Sequence, residues 1–416
     1  MLFVYLYIIA MYIRPQDWVP GLVGFPTAFV IIPLGFIAGL LQYQKNPQLY
    51  KTPHNYLLPV YLLIIFISTL INVDMSVAVY WTIEFLKRIL LFFMIVLNVN
   101  TTQKIKNVLA FVLLVTVFLG YQAFLQATQG QSWGGLSTFP GYDVIRIRWY
   151  GDWDGPNVLA ILFLISSAIS LEYILGKHSL ITRLINLGLI AVNFMAIYYT
   201  NSRGAVLAFV CGLIYFYHKR LMSRYTPIML GLLGLVFVLA PSRMTEVSSE
   251  EQSAGERTWL WEQGLGMLHE NPIFGVGRGM FASNTDLKLI AHNNYVQNFA
   301  ELGYAGFFVF ISLLWFTFKG TYMVAETLPT SHSLKSYARM CSVILVMYGA
   351  ATFFVVMELD LFYFVLGLAT CVYLIARRES DAIPPFRYTF LDLKFVVAGM
   401  IVIQVAVWLA AIKHIL

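Results

Sequence analysis

The residues of this chain best suited to chemistry stand in AHNNY, residues 291–295, where a long apolar stretch begins. The imidazole of His292 has an ordinary pKa at which it can take a proton from a hydroxyl group near neutral pH. Glu301 follows nine residues later, so on a helix it shares a face with His292 only loosely. We interpret His292 as a general base or as a group that orients an acceptor hydroxyl. The alternative is a histidine that packs at an interface.

Three other polar stretches interrupt the apolar runs, and each carries arginine: RIRWYGDWDGPN at 146–157, TNSRG at 200–204 and GVGRG at 275–279. A guanidinium is a planar fork that binds phosphate oxygens two at a time. Glycines on both sides of Arg278 would let the backbone approach an anion and offer N–H groups to it. Arg203 stands between two apolar runs, where snorkelling to a membrane interface is the alternative to anion binding. The pattern predicts a phosphate site that includes Arg203 and Arg278.

The stretch GDWDGPN places Asp152 and Asp154 in an Asp-x-Asp arrangement, which is able to hold a divalent cation. The loop around it supplies no obvious further carboxylate or histidine ligand. Turn formation and capping before Pro156 is therefore the preferred interpretation of Asp154. No metal or other cofactor is predicted.

The composition identifies the medium in which these residues work. Of 416 residues, 59% are hydrophobic and only 12% are charged, whereas a soluble domain carries about 25% charged residues. The net charge of +6 suits phosphate groups and anionic membrane lipids as partners, and no nucleic-acid partner is predicted. The first apolar stretch, MLFVYLYIIAMYI, lacks a basic region and a cleavage site, so we expect it to be retained. The three cysteines lie in apolar runs and are expected to fill core space.

Apolar runs of membrane-spanning character recur along the whole chain, and a span needs roughly 20 such residues. They predict an all-α, polytopic membrane protein with about 12 transmembrane helices, folded as a single domain over 1–416. The candidate segments are 2–13, 22–43, 56–72, 77–98, 104–127, 155–175, 183–200, 204–218, 226–240, 293–318, 337–357, 361–376 and 394–414.

Charge placement predicts the orientation. If the N-terminus is cytoplasmic and the segments alternate, the inner loops hold 16 of the 27 Lys and Arg residues, as the positive-inside rule requires. Nine fall on the outer side, and seven of these are arginine, which favours phosphate recognition over mere topology. Chance in a small sample is the alternative. The outer cations are Arg14, Arg146, Arg148, Arg203, Arg243, Arg257, Arg278, Lys288 and Lys413.

Two of the predicted outer loops are long. Residues 128–154 are rich in glycine and aromatic residues, and residues 241–291 contain a stretch with helical spacing at 256–269. The Asn-Pro pair at 271–272 should end that helix. We interpret it as an amphipathic helix at the outer membrane–water boundary, with its tryptophans at headgroup depth.

Several of these stretches together resemble the O-antigen ligase and polymerase superfamily. They are SRG after an apolar run, the arginine–tryptophan–PN stretch of 146–157, ERTWLWEQGLGMLHENPIFGVGRGMF and AHNNYVQNFAELGYAGFFVF. YIRPQDW, at 12–18, is similar to the start of ligases in that superfamily, including the O-glycosylation ligases associated with exosortase systems. The motifs cover mainly residues 140–310. One departure is DGPN, where many relatives have an Asp-Pro-Asn run.

The resemblance implies a GT-C-like glycosyltransferase of the bacterial inner membrane whose active site faces the periplasm. Such enzymes move a glycan from undecaprenyl pyrophosphate to an acceptor hydroxyl, on lipid A-core or another molecule, with inversion and without a metal. Carried over residue by residue, Arg203 and Arg278 would bind the pyrophosphate, and His292 would act at the acceptor. Further substrate-binding candidates are Arg146, Arg148, Arg257, Asn293 and Tyr295.

Other functions remain open at this stage. A polymerase or a protein O-oligosaccharyltransferase would keep the chemistry and change the acceptor. A secondary transporter or flippase is the alternative from another class, since Glu84, Lys87 and Arg88 lie within an apolar segment. Their spacing also fits a mutually neutralised buried cluster. The lack of an internal repeat and the arginines of the outer face count against a transporter.

Overall fold

A computed structural model describes residues 1–43, 52–141, 144–176, 178–221, 247–356 and 359–411 of the chain. Apart from one isolated β-bridge, every regular element within these ranges is helical, which confirms the all-α prediction for them. The helices are α1 (Leu2–Tyr12), α2 (Pro15–Trp18), α3 (Thr27–Tyr43), α4 (His54–Asn72), α5 (Met75–Asn98), α6 (Thr102–Gln129), α7 (Pro156–Leu175), α8 (Leu180–Thr200), α9 (Arg203–Leu221), α10 (Val247–Glu270), α11 (Asn294–Thr327), α12 (Ser333–Ala351), α13 (Asp360–Glu379) and α14 (Phe390–Ala411).

Seven helices in the described ranges are long and apolar enough to cross a membrane, namely α4, α6, α7, α8, α11, α13 and α14. Helices α1, α3 and α9 are apolar but shorter. The multi-pass prediction is therefore supported, while the total of about 12 spans stays a prediction. The predicted segment 226–240 lies outside the described residues.

Burial separates inner from outer helices. Helices α7 and α13 are almost wholly buried, whereas α8 and α14 expose most of their apolar side chains. In a bilayer, such apolar faces contact lipid tails, and polar side chains turn toward neighbouring helices. Asn193 of α8 follows this rule, because it donates a hydrogen bond to Ser166 Oγ of α7 over 3.0 Å.

Helix α11 is folded back on itself at Gly303. Gly303 has φ 64° and ψ −165°, which no helix accommodates. The rings of Tyr295 and Phe310 lie 6.0 Å apart, although a straight helix would separate two residues at this spacing by about 22 Å. Phe299 and Phe307 pair in the same way at 5.6 Å. The predicted single span over 293–318 is therefore wrong, because residues 294–302 form a short arm antiparallel to the start of 304–327.

The break in α11 is filled by the loop after α10. Val276 donates its N–H to the Ala300 carbonyl over 3.0 Å, and Gly277 donates to the Glu301 carbonyl over 2.9 Å. Beyond the break, Tyr304 donates to the carbonyl of Pro272 over 2.8 Å. The loop thus satisfies backbone groups that the interruption would otherwise leave unpaired. Helix α10 itself ends at Glu270, as the Asn-Pro pair predicts.

Tryptophans anchor the loop of 130–155 to the N-terminal helix. Trp149 and Trp18 both donate indole N–H groups to the carbonyl of Ile13, over 3.1 and 3.0 Å. Trp153 donates to the carbonyl of Met11 over 2.6 Å. These carbonyls belong to the last turn of α1, where no helical partner exists. The aromatic residues of the loop therefore cap a helix.

The charged residues of α5 do not form the predicted closed cluster. Lys87 does pair with Glu84 over 2.9 Å. Arg88 instead contacts Asp360, at the start of α13, over 3.4 Å. The reason is that Arg88 lies on the face of α5 that packs against α13.

The loops at each end of the bundle contact one another. At one end, Ile147, before α7, donates its N–H to the carbonyl of Tyr199, near the end of α8, over 3.0 Å. At the opposite end, Arg378 of α13 donates to the carbonyl of Asn100, before α6, over 2.7 Å. Both pairs agree with the predicted alternation of the helices. Which end faces the periplasm stays a prediction.

The variant Gly303→Ala tests the folded-back arm. A β-carbon at this position would collide with the backbone of Ile273, and alanine disfavours the positive φ. We expect a loss of about 2–4 kcal/mol in unfolding free energy, seen as a lower Tm in detergent. Gly188→Ala is the matched control, because an added β-carbon there meets no atom within 4 Å. Equal Tm values for the two variants would contradict the hairpin.

Candidate functional site

His292 lies in a backbone turn that is fixed on both sides. Ala291 donates its N–H to Gln297 Oε1 over 3.0 Å and accepts the indole N–H of Trp261 over 2.9 Å. On the other side, Asn293 caps the short arm of α11. His292 itself adopts φ 49°, an uncommon conformation for a residue other than glycine. Such strain persists where the surroundings hold it, and it recurs at functional sites.

The imidazole of His292 is half-buried and electrostatically shifted. Burial first, and the positive charge of Arg257 second, together lower its pKa from 6.5 to about 4. The ring is therefore neutral at neutral pH and can accept a proton or a hydrogen bond. Arg257 therefore acts electrostatically on His292.

Arg278 occupies the loop that fills the break in α11, and its guanidinium is buried. Its Nη1 lies 3.5 Å from Glu301 Oε2, and its guanidinium carbon lies 5.8 Å from the ring centre of Trp81. Its backbone N–H donates to Thr69 Oγ1 over 3.1 Å. A carboxylate, an aromatic face and a hydroxyl thus fix both the backbone and the side chain.

The glycine-rich loop uses its N–H groups within the protein. Gly279 and Phe281 donate to the Glu301 carboxylate, and Gly277 donates to the Glu301 carbonyl over 2.9 Å. A β-carbon on Gly279 would collide with Trp81. The amides of these glycines therefore bind groups of the protein and not an external anion, contrary to the prediction. The Gly279 amide binds the carboxylate of Glu301.

A chain of hydrogen bonds joins the two principal candidates. Arg278 contacts Glu301, whose Oε1 accepts a short hydrogen bond from the amide of Gln297. Gln297 in turn accepts the N–H of Ala291, the neighbour of His292. The arginine and the histidine therefore share one rigid arm, 294–302. The side chain of Glu301 contacts Arg278 and Gln297.

Arg203 begins α9 at the same end of the bundle, and its side chain is exposed. An added β-carbon on its neighbour Gly204 would meet Phe354, in the turn after α12. The same turn touches the start of α11, since Thr352 accepts the N–H of Asn294 over 2.8 Å. The turn after α12 therefore lies between the start of α9, which carries Arg203, and the start of α11, which follows His292.

Arg146 is buried and already bound within the protein. Its Nε donates to the carbonyl of Thr200 over 3.3 Å, and its Nη2 donates to Asn157 over 3.2 Å. The guanidinium also lies 5.8 Å from the ring centre of Phe139. It therefore ties the loop before α7 to the turn that precedes Arg203. A contact with substrate phosphate stays a prediction for this residue.

Asp152 and Asp154 bind different arginines. Arg14 Nη1 contacts Asp152 over 2.8 Å, and Arg148 Nη1 contacts Asp154 over 3.0 Å. Within the described ranges, no group of three or more His, Cys, Asp or Glu side chains is arranged to hold a metal. The N-cap of α7 is Gly155, without a side-chain cap, so the predicted capping by Asp154 is wrong. Its carboxylate prefers a guanidinium, a charge-assisted partner.

Asn293 and Tyr295 both have clear structural contacts. Asn293 Oδ1 accepts the N–H of Tyr295 over 2.9 Å and that of Val296 over 3.2 Å, which satisfies two free donors of the arm. Tyr295 Oη donates to the carbonyl of Gly349 over 2.8 Å. Asn293 Nδ2 is buried and donates no hydrogen bond among the described residues. Of the two, Asn293 therefore offers the donor that a substrate oxygen would satisfy.

Three neighbours of the site escaped sequence reasoning: Glu301 as partner of Arg278, together with Gln297 and Trp81. Gln297 and Glu301 are four residues apart, a spacing at which helix side chains meet, so this pair was readable from the sequence. Trp261 is buried and donates its indole N–H to Ala291, whereas Trp259 is 40% exposed. The headgroup depth of these tryptophans stays a prediction. The contact of Trp81 with Arg278 joins distant residues and leaves no local pattern.

A protein-family model described as O-antigen ligase matches residues 188–311. No curated protein matches the chain. The matched segment contains Arg203, Arg257, Arg278 and His292, and it ends just beyond the folded-back arm. Over residues 188–311, the match confirms the resemblance to the O-antigen ligase and polymerase superfamily.

Proposed function

We propose that the protein is an inner-membrane glycosyltransferase that moves a glycan from undecaprenyl pyrophosphate to an acceptor hydroxyl on the periplasmic side. The observation that carries this proposal is the rigid arm of 294–302, whose Glu301 holds the buried Arg278 and whose Gln297 joins Glu301 to the backbone next to His292. Displacement of a pyrophosphate by a hydroxyl requires a neutral base and fixed cations. The family match supports the same class of reaction.

In the proposed reaction, the acceptor oxygen attacks the anomeric carbon as the bond from that carbon to the phosphate oxygen breaks. The hydroxyl proton passes to His292, and the electron pair of the broken bond leaves with the lipid pyrophosphate. Attack opposite to the leaving group inverts the anomeric centre. Arg278 and Arg203 bind the pyrophosphate and stabilise the negative charge that grows on it.

The remaining candidates receive narrower roles in this proposal. Arg257, whose charge acts on His292, would bind a phosphate near the base. Asn293 Nδ2 supplies a donor at the base of the arm. Arg146, Arg148 and Tyr295 shape the surrounding loops through their internal contacts. Lipid A-core is the proposed acceptor, and a growing polymer or a protein hydroxyl would use the same chemistry.

The first test is transfer by purified protein in detergent or liposomes, with undecaprenyl-pyrophosphate glycan and lipid A-core. We expect His292→Ala and Arg278→Ala each to lower kcat/KM by about 10²–10⁴-fold, because one removes the base and the other a charge on the leaving group. Matched controls are His332→Ala and Arg377→Ala, at the opposite end of the bundle. Wild-type transfer by both site variants, at normal expression, would refute the assignment.

The same assay tests metal independence. Transfer should persist undiminished in EDTA, because the aspartates of the Asp-x-Asp stretch bind Arg14 and Arg148 and the proposed charge stabilisation comes from arginine. Readdition of Mg²⁺ or Mn²⁺ should leave the rate unchanged. If chelation abolished transfer and a metal restored it, the aspartates would return to the reaction centre.

The pH profile tests the state of His292. In the free enzyme, the pKa of His292 is lowered to about 4, so the imidazole stays neutral above that pH. We therefore expect kcat/KM to fall only as the pH drops through about 4. Arg257→Gln removes one cause of the lowering, so this acid limb should move to higher pH, toward 6.5. The position of the limb is read separately from the overall rate. A wild-type limb near 6.5, or no movement in the variant, would contradict the model.

A further inference from the structure

A polar cavity of about 330 Å³ lies beside the N-terminal helix, in a part of the molecule that the proposed reaction does not use. Residues of α1, α2, the start of α3 and α5 surround it, and Asp152, in the loop before α7, and Asp360, at the start of α13, also reach it. Its volume is at the lower end of the range of ligand pockets, roughly 300–1,000 Å³. The YIRPQDW stretch supplies much of its wall.

The charges of the cavity are balanced by ion pairs. Arg14 contacts both Asp17 and Asp152, and Lys87 pairs with Glu84 over 2.9 Å. In the wall itself, two cations therefore face three carboxylates, the third being Asp360. The carboxylates disfavour a phosphate, and the paired cations disfavour a free metal ion. A neutral group rich in hydroxyls suits such mixed donors and acceptors.

Gln16 provides an independent sign of a ligand. Its side chain is about nine-tenths buried and belongs to the cavity wall. Its Nε2 donates to the carbonyl of Ala10 over 2.9 Å, but its Oε1 accepts no hydrogen bond from the described residues. A buried oxygen without a donor is costly, by roughly 1–3 kcal/mol. The oxygen itself is closed off from solvent, so a hydroxyl inside the cavity would satisfy it once the side-chain amide turns toward the cavity.

The wall is built rigidly and has an apolar side. Arg14 adopts φ 55°, and its guanidinium lies against Gly151, where any β-carbon would collide with it. This strained arrangement is held by the tryptophans that anchor the 130–155 loop. Phe25 and Phe29 line the mouth and are about half exposed. Aromatic faces of this kind match the C–H faces of a sugar ring.

Helix α5 connects the cavity to the proposed reaction centre. Trp81, which lies against the guanidinium of Arg278, is six residues before Lys87 in the cavity wall. Six residues of helix span about 9 Å. Because Trp81 and Lys87 lie on different faces of the helix, a glycan of a few sugar units with its pyrophosphate or acceptor hydroxyl at Arg278 would span this axial distance by passing around α5.

We propose that this cavity is a carbohydrate subsite that binds a neutral sugar unit, with Gln16 Oε1 and the aspartates accepting its hydroxyls and Phe29 covering a ring face. The assignment rests on the proposed glycosyl transfer. The sugar comes either from the donor glycan or from the acceptor. The chemistry is the same in both cases, and KM values distinguish the two sources.

The test uses full-length Gln16→Met and Ala28→Phe. The first removes the unsatisfied oxygen, and the second fills the cavity from its wall without removing a hydrogen bond. We expect each variant to raise one of the two KM values by about tenfold, with kcat retained. A raised KM for lipid A-core would mark an acceptor subsite. A raised KM for the lipid-linked glycan would mark a donor subsite. Gln103→Met is the matched control, on an exposed face at the opposite end.

Direct binding separates this proposal from the proposed function. The probes are the neutral oligosaccharide released from the donor by mild acid, and inorganic pyrophosphate. Both cavity variants should weaken oligosaccharide binding by about tenfold and leave pyrophosphate binding unchanged. Unchanged KM values and oligosaccharide binding in Ala28→Phe would overturn the subsite even if transfer is robust. Failure of transfer in the wild type, with oligosaccharide bound as expected, would overturn only the reaction.

Discussion

The structure of the site depends on the interruption of α11 at Gly303. A helix that reverses direction exposes backbone donors and acceptors that a membrane environment does not satisfy. The loop of 271–279 supplies the missing partners, through the N–H groups of Val276 and Gly277 and the carbonyl of Pro272. The loop and the arm therefore require each other. Because Arg278 ends the loop and His292 precedes the arm, the same backbone hydrogen bonds set the position of both residues.

The burial of Arg278 follows from this arrangement and limits what it can do. Isolated charges inside a protein are very unfavourable, and a buried pair is tolerated only with good geometry and further hydrogen bonds. Glu301 meets that condition, since it accepts from Gln297 and from loop amides while it contacts the guanidinium. The arginine is thus held charged and immobile before any ligand arrives. Such preorganisation is the main way in which proteins stabilise charge that develops during a reaction.

The sequence predicted those features that depend on local pattern. Apolar runs located the helices, and the Asn-Pro pair located the end of α10. Residue types selected Arg278 and His292 as candidates, and their function stays a prediction. The break in α11 was missed because Gly303 stands within an apolar run that reads as one continuous span. The partner of Arg88 was also missed, because Asp360 is 272 residues away and only the packing of α5 on α13 brings them together. The tryptophan caps of α1 escaped for the same reason.

The electrostatics of His292 also bear on the timing of the proposed reaction. In the free protein, burial and Arg257 keep the ring neutral but make it a weak base. A pyrophosphate bound near Arg257 would cancel much of that positive charge, so the pKa of the histidine would rise in the complex. The base would then become stronger only when the donor is in place, and an acceptor hydroxyl would be activated only beside a sugar ready for transfer. Burial lowers the pKa of the His292 ring in the free protein, and the negative charge of the bound donor would raise it.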